Sequence, residues 1–240
     1  MKEKTRQLIE QFWTHDLGLE SDAFGRSEIR CSIQSLYNGV AVFRQAGDLV
    51  IAVPAAHHAR VQDSMRGCSM EEVFSVEWLR SSLGEKAEKI LGPAEVHYAD
   101  ETTFKSPGAN RGRSLSEEDG LSCRALQAAL TAKEAEESGY SADWLPAFGA
   151  FSGNTLCAAA SYSVWEPSIA HIVVATHPEY RRRGFAKAAV GALADVALNR
   201  GLILQWRAVA WNKGSLALAR DLGFEHYCST IFARLTNSSA

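Results

Sequence analysis

The chain has 240 residues, of which 46% are hydrophobic and 22% charged, and a formal net charge of −3 at pH 7. That length predicts one medium domain with a smaller one beside it, and the balance excludes a disordered chain and a general polyanion binder, so any basic site has to be local. Five scattered cysteines, Cys31, Cys68, Cys123, Cys157 and Cys228, with no CxxC or Cys/His cluster, argue against a disulfide framework and against structural zinc.

Residues 1–16 place Leu8, Ile9, Phe12 and Trp13 at helical spacing among charges, an amphipathic first helix without the continuous apolar core of a signal peptide. No apolar run approaches the ~18 residues of a membrane span, so the expectation is a cytoplasmic protein with no membrane partner. Residues 40–43 and 49–53 are β-rich runs around the turn residues Gly47 and Asp48, which predicts a hairpin. Two helices follow, the second opened by Ser69 with Glu72 three residues on, a capping-box pattern. "EVHYA" reads as a strand. Residues 105–113 gather Pro, Gly, Ser and Asn with basic residues and carry no apolar period, which places a boundary near residue 110 between domains 1–110 and 111–240.

Beyond that boundary, Ser116 and Asp119 repeat the capping-box pattern ahead of a helix bearing Leu126 and Leu130. "WLPAFGAFS" and "NTLCAAASYSVW" predict a second hairpin around Ser152, Gly153 and Asn154. "SIAHIVVAT" is short, β-branched and almost wholly apolar, the pattern of a buried central strand. Pro178 forbids its continuation, and Val190, Leu193 and Ala197 then recur at helical spacing until Gly201. "ILQWRAVAW" is a further strand, "SLALARDL" a short helix ended by Gly223, and "YCSTIFARL" a last strand.

Between the central strand and the long helix stand three consecutive arginines. A buried strand, a tight turn and a helix put the free N–H groups of the helix's first turn beyond the strand's carboxyl end, a geometry that binds phosphate. Gly184 lets an anion approach the backbone with no Cβ in the way, Ala186 is small and helix-favouring, and Arg181, Arg182 and Arg183 add charge at the same spot. Neither GxxxxGK[ST] nor GxGxxG occurs, so ATP hydrolysis and a dinucleotide fold have no support.

"IVVATHPEYRRRGFAKAAVGAL" resembles the acetyl-CoA-binding segment of the GCN5-related N-acetyltransferase (GNAT) superfamily, whose pattern is Gln or Arg, two residues, Gly, one residue, then Gly or Ala. Residues 181–186 match it without a gap. "WNKGSLALARDLGF" resembles the family's Asn-containing segment, with Asn212, Ser215, Leu222, Gly223 and Phe224 in register. The resemblance covers roughly residues 110 to 240, and the arrangement of the first 110 looks like the accessory half of two-part bacterial members. It implies an α/β (α+β) fold: a mixed, mostly antiparallel central sheet flanked by helices in a GNAT-like C-terminal domain, with a smaller α/β N-terminal domain.

The resemblance further implies that backbone amides of Arg182, Arg183, Gly184, Phe185, Ala186 and Lys187 hold the pyrophosphate of coenzyme A. It implies too that Val174, Ala175 and Thr176 pair with the pantetheine like an added strand. A splayed gap toward residues 203–210 would admit the thioester, where positioned amides stabilise the oxyanion formed as an amine attacks; no metal is needed. The residues leave the proton acceptor open among His171, Glu166, Glu225 and His226. His171 is placed first because imidazole titrates in the right range. Many family members carry a tyrosine after the Asn segment to protonate the departing thiolate; Ala219 stands there, and Tyr227, Tyr162 or solvent are the substitutes. Trp144, Tyr162, Trp165, Trp206 and Trp211 are candidates for an acceptor pocket.

Two readings stand from these residues, an acetyl-CoA-dependent N-acetyltransferase acting on a primary amine and a catalytically silent acyl-CoA-binding module. A third, a phosphate or nucleic-acid binder using the arginine turn, is opposed by the acidic overall balance. The expected partners are acetyl-CoA and an amine acceptor, with no nucleic acid and the chain a monomer or homodimer.

Overall fold

Ala46 and Gly47 both take positive φ, 45° and 98°, the pair of conformations that a two-residue hairpin turn demands. They join β2 (Gly39–Gln45) to β3 (Asp48–Val53) in antiparallel register, with Gln45 opposite Asp48. In the computed structural model, which describes residues 1–19, 24–108, 112–143, 147–165 and 168–236, the chain forms two compact units. One comprises Glu3–Val96, Val209–Asn212 and His226–Ala240, and the other Met1–Lys2, His97–Ala208 and Lys213–Glu225. The boundary expected near residue 110 lies at 109–111, outside the described residues.

In the first unit, α1 (Glu3–Asp16) precedes β1 (Ile29–Ile33), which pairs parallel with β3. After β3 come α2 (Ala55–Ser64), α3 (Met70–Val73) and α4 (Val76–Leu83), and then β4 (Ala87–Ala99). Ser69 caps α3 with the predicted box, its Oγ accepting from Glu72 N–H while the Glu72 carboxylate accepts from Ser69 N–H. Strand order is β1-β3-β2-β10-β4, where β10 is Glu225–Leu235. Strand alternation sends Val40 and Val42 to a core shared with Val61, Leu79 and Leu83 of the helices. It sends Phe43 to the opposite face, against Trp13 of α1 at 5.0 Å between ring centroids.

In the second unit, β5 (Arg113–Ser114), α5 (Gly120–Ala128) and α6 (Ala132–Ser138) lead to the hairpin β6 (Ala147–Ser152) and β7 (Thr155–Trp165). Then follow β8 (Ile169–Thr176), α7 (Phe185–Asn199), β9 (Ile203–Val209) and α8 (Lys213–Asp221). The sheet runs from residues 97–99 of β4 through β9, β8, β7 and β6 to β5, antiparallel from β8 to β5 and parallel at β8–β9. Ala158, Ala160, Ala170, Ile172, Leu204 and Trp206 form one core with α7. Their neighbours Ala159 and Ala175 face the other way, against Cys123 and Leu126 of α5. The strands are thus sandwiched between α7 and α5, each of which buries its apolar stripe. The mixed, mostly antiparallel α/β architecture expected from the sequence is the one observed.

Candidate functional site

β8 ends where Pro178 opens a short 3-10 turn (Pro178–Tyr180), whose preceding His177 caps it by accepting from Glu179 N–H at 3.3 Å. The main chain then bends through Arg182 at φ 60° and Gly184 at φ 86° into α7. Positive φ is where a Cβ is disfavoured, so glycine fits as the N-cap, and a Cβ built there would meet nothing within 4 Å. No side chain caps α7. Its first amides have the positive end of a 15-residue helix behind them and no capping side chain in front. These are the donors a diphosphate requires, and positive-φ bends of this kind turn successive amides toward an anion.

The cations around this turn are not equivalent. Arg181 is bound to Glu134 of α6 at 2.7 Å, and Lys187 to Asp221 of α8 at 2.7 Å. Arg183 lies over the rings of Tyr180 and Phe185 at 5.0 and 5.5 Å. The Glu134 carboxyl is held below its usual range, first by the backbone N–H of Thr131 and then by Arg181. Ser215 Oγ accepts from the Trp206 indole N–H at 3.0 Å, while Asn212 N–H donates to the Val209 carbonyl at 2.9 Å within the other unit.

On its far side from β7, β8 pairs with β9 only from Ile169 opposite Ile203 to Ile172 opposite Trp206. Both strands continue, β8 to Thr176 and β9 to Val209, with no further paired residues described. Val174, Ala175 and Thr176 remain paired with β7, so their other edge faces the divergence. A strand edge of this kind accepts an extended ligand by main-chain hydrogen bonds.

His171 sits just before the divergence, opposite Gln205 and on the sheet face away from α7. Trp165 stacks on its ring at 4.3 Å and 14°. The expectation that His171 titrates near neutrality is not met. Burial, the largest influence, pushes its pKa down to about 4, against a raising effect from the Gln205 hydrogen bond, with Arg207 lowering it further. Glu166 and Trp144 lie outside the described residues. Tyr227 belongs to the other unit, edge-on to Phe43 at 6.4 Å, with its phenol pKa raised by burial. Tyr162 and Trp206 are packed in the α7-side core, the Tyr162 hydroxyl accepting from Arg200 at 2.9 Å. Trp211 is 53% exposed.

Ala219 gives the missing tyrosine a physical reading. It is 0% exposed and packs with Leu216, Leu222 and Phe224, so position 219 points into the core. A separate cleft of about 510 Å³ beside Phe185 is lined by Arg113, Asp119, Phe151 and Asn154; its charges are already joined in a bidentate pair at 2.7 Å. Sequence reasoning missed Glu134, although Thr131 and Glu134 carry the same capping signature as Ser69 and Glu72. It also missed Gln205, for which no local signal exists. Among the described residues no three His, Cys, Asp or Glu side chains cluster to hold a metal ion, and no helix is long and apolar enough to cross a membrane.

Residues 148–231 match the family model GNAT acetyltransferase, a segment that contains the arginine turn and the Leu-Gly-Phe ending. A solved GNAT-family protein from Novosphingobium aromaticivorans is 23% identical, with a TM-score of 0.50, over 63% of this chain and 67% of its own. A GNAT-family acetyltransferase from Colwellia psychrerythraea is 13% identical (TM-score 0.48; 66% of this chain, 61% of its own), and a GCN5-related N-acetyltransferase from Kribbella flavida 16% (0.47; 67% and 64%). The chain thus spans less than two thirds of the latter two structures. No curated protein matches it. The resemblance read from the arginine turn is therefore borne out for this segment: residues 148–231 match the GNAT acetyltransferase family model, and the fold is like that of the GNAT-family protein from Novosphingobium aromaticivorans.

Proposed function

We propose that this chain is a cytoplasmic enzyme that moves the acetyl group of acetyl-CoA to a primary amine of a small molecule or peptide, without a metal, by direct attack on the thioester. The observation that carries the reading is the pairing of an uncapped α7 start at Gly184 with the loss of β8–β9 pairing after Ile172. The first suits a diphosphate, and the second leaves a strand edge for the pantetheine beside it. Amides of residues 182–187 take the diphosphate, with Arg182 and Arg183 as helpers. Val174, Ala175 and Thr176 take the pantetheine. Asn212 and Ser215 are assigned to coenzyme A on the resemblance of residues 211–224 alone.

The amine nitrogen forms its bond to the carbonyl carbon, the oxyanion is held by main-chain N–H groups at the divergence, and collapse breaks the C–S bond with its electron pair leaving on the coenzyme A thiolate. His171 is neutral at pH 7, so its imidazole takes the proton that becomes acidic once the amine has attacked, and passes it to solvent. The thiolate takes a proton from water, since Ala219 supplies none. A second reading, a silent acyl-CoA-binding module, is favoured by that buried Ala219.

A thiol-release assay with acetyl-CoA and a panel of small amines, amino acids and peptides separates the two. Release that depends on the amine and saturates is the outcome expected. Tight coenzyme A binding with release no faster than hydrolysis would leave the silent module as the reading.

A further inference from the structure

Gln205 is 1% exposed and Tyr98 0%, yet both are polar; Gln205 lies between Leu204 and Trp206, and Tyr98 between His97 and Ala99. Gln205 Nε2 donates to the Tyr98 hydroxyl at 2.7 Å, and Gln205 Oε1 faces His171 Nδ1, also at 2.7 Å. A chain of three side chains therefore crosses β4, β9 and β8 and ends on the imidazole just before the strands diverge. Polar groups taken out of water this completely are tolerated when each finds a partner, and aliphatic residues would fill the same positions without that requirement.

We propose that Gln205 and Tyr98 are positioning residues that hold His171 as the tautomer protonated on Nδ1, leaving the Nε2 lone pair to receive the proton of the attacking amine. This rests on the reading of His171 as the proton acceptor. An amide side chain has one donating and one accepting end. The donating end of Gln205 is spent on the Tyr98 oxygen, so the end turned to His171 accepts, and Nδ1 must carry the hydrogen. Nε2 makes no hydrogen bond among the described residues. Stacking on Trp165 fixes the ring plane, so the tautomer and the direction of the lone pair are set together. Among the described residues, the charged group acting on the ring is Arg207, two residues beyond Gln205 on β9.

The test combines ¹⁵N NMR of the His171 imidazole in the full chain, assigned with His171→Asn, and steady-state kinetics with the best amine from the panel. The expected wild-type spectrum is that of a neutral ring protonated on Nδ1; a neutral ring protonated on Nε2 overturns the proposal whether or not the chain is active. Gln205→Leu should lower kcat at least tenfold with KM for acetyl-CoA unchanged and erase the tautomer preference; an unchanged kcat overturns the proposal. Gln205→Glu keeps the volume and the accepting group, so it decides the matter where the leucine variant does not fold. Its carboxylate stabilises the imidazolium and should move the acidic limb of the kcat/KM profile up by at least one pH unit, and an unmoved limb counts against the proposal. Wild type that acetylates no amine would sink the transferase reading, and the NMR result would still decide the tautomer. Full activity in His171→Asn would remove His171 as acceptor, and with it the positioning role.

Discussion

α6 and α7 begin close together in the same unit and are finished in opposite ways. α6 spends a full capping box on its first turn: Glu134 N–H donates to Thr131 Oγ1 at 3.2 Å, and Thr131 N–H donates to the Glu134 carboxylate at 2.9 Å. α7, with 15 residues the longest helix among those described, starts at a glycine with no side chain to offer. Arg181 links the two, bound to the same Glu134 that caps α6. Side chains also cap α3 at Ser69 and α4 at Ser75, whereas α2 and α5, like α7, begin without a side-chain cap, so what sets α7 apart is the positive-φ glycine at its start. Donors left open at one helix start, while side chains satisfy those of its neighbour, are donors available to a ligand.

The strongest way to break this contrast is Gly184→Glu, which puts a carboxylate where the diphosphate belongs. Calorimetry should show acetyl-CoA affinity falling at least about 100-fold, equivalent to ~2.7 kcal/mol, and an unchanged affinity would remove the site from the start of α7. Gly184→Ala separates bulk from backbone. Its Cβ enters open space, so only the positive φ resists it, at about 1–2 kcal/mol, and an affinity loss near tenfold is expected as the bend relaxes. Thr131→Ala removes the box from α6 and should cost about 1 kcal/mol of stability. For a chain of this size that lowers Tm by ~2–4 °C. Acetyl-CoA affinity should stay as it was, and a large loss would mean that α6 belongs to the cofactor site. The smallest effect is expected from Glu134→Gln. Exposed ion pairs contribute about 1 kcal/mol or less, so releasing Arg181 toward the diphosphate should tighten acetyl-CoA binding by no more than about fivefold, and weaker binding would show that Arg181 needs Glu134 to be placed.

Much of the second unit was legible because its signals are local. Pro178 stops β8, Gly184 and Gly201 bracket α7, and Ser116 with Asp119 announces α5, since each depends on the conformations open to one or two residues. In the first unit, the hairpin around Gly47 and the cap at Ser69 were visible for the same reason, although Asp48, read as a turn residue, opens β3 and Ala46 takes its place in the turn. β1 was missed: its Ile-Arg-Cys-Ser-Ile run is short and half-buried, and is held by its parallel partner β3. β4 was read as five residues and has thirteen, because Gly92 and Pro93 look like a break inside it.

The candidate site divides along the same line. The backbone cradle was readable, since a turn residue, a helix start and a stretch of arginine stand side by side in the chain. The partners of its charges were not. Nothing near Arg181 points to Glu134, and nothing near Lys187 points to Asp221. His171 was read from its intrinsic titration range, and burial then moved it to about 4.

The amino-acid sequence by itself determined the order of strand, turn and helix, the glycine that lets the main chain turn at residue 184, and the family pattern of residues 181–186, all set by short-range sterics and residue type. Only the tertiary structure decided which arginine is already paired, why position 219 faces inward, and what His171 touches. The reason is distance along the chain: Gln205 stands 34 residues after His171 and 107 after Tyr98, so their hydrogen bonds exist only once the strands have been laid beside one another.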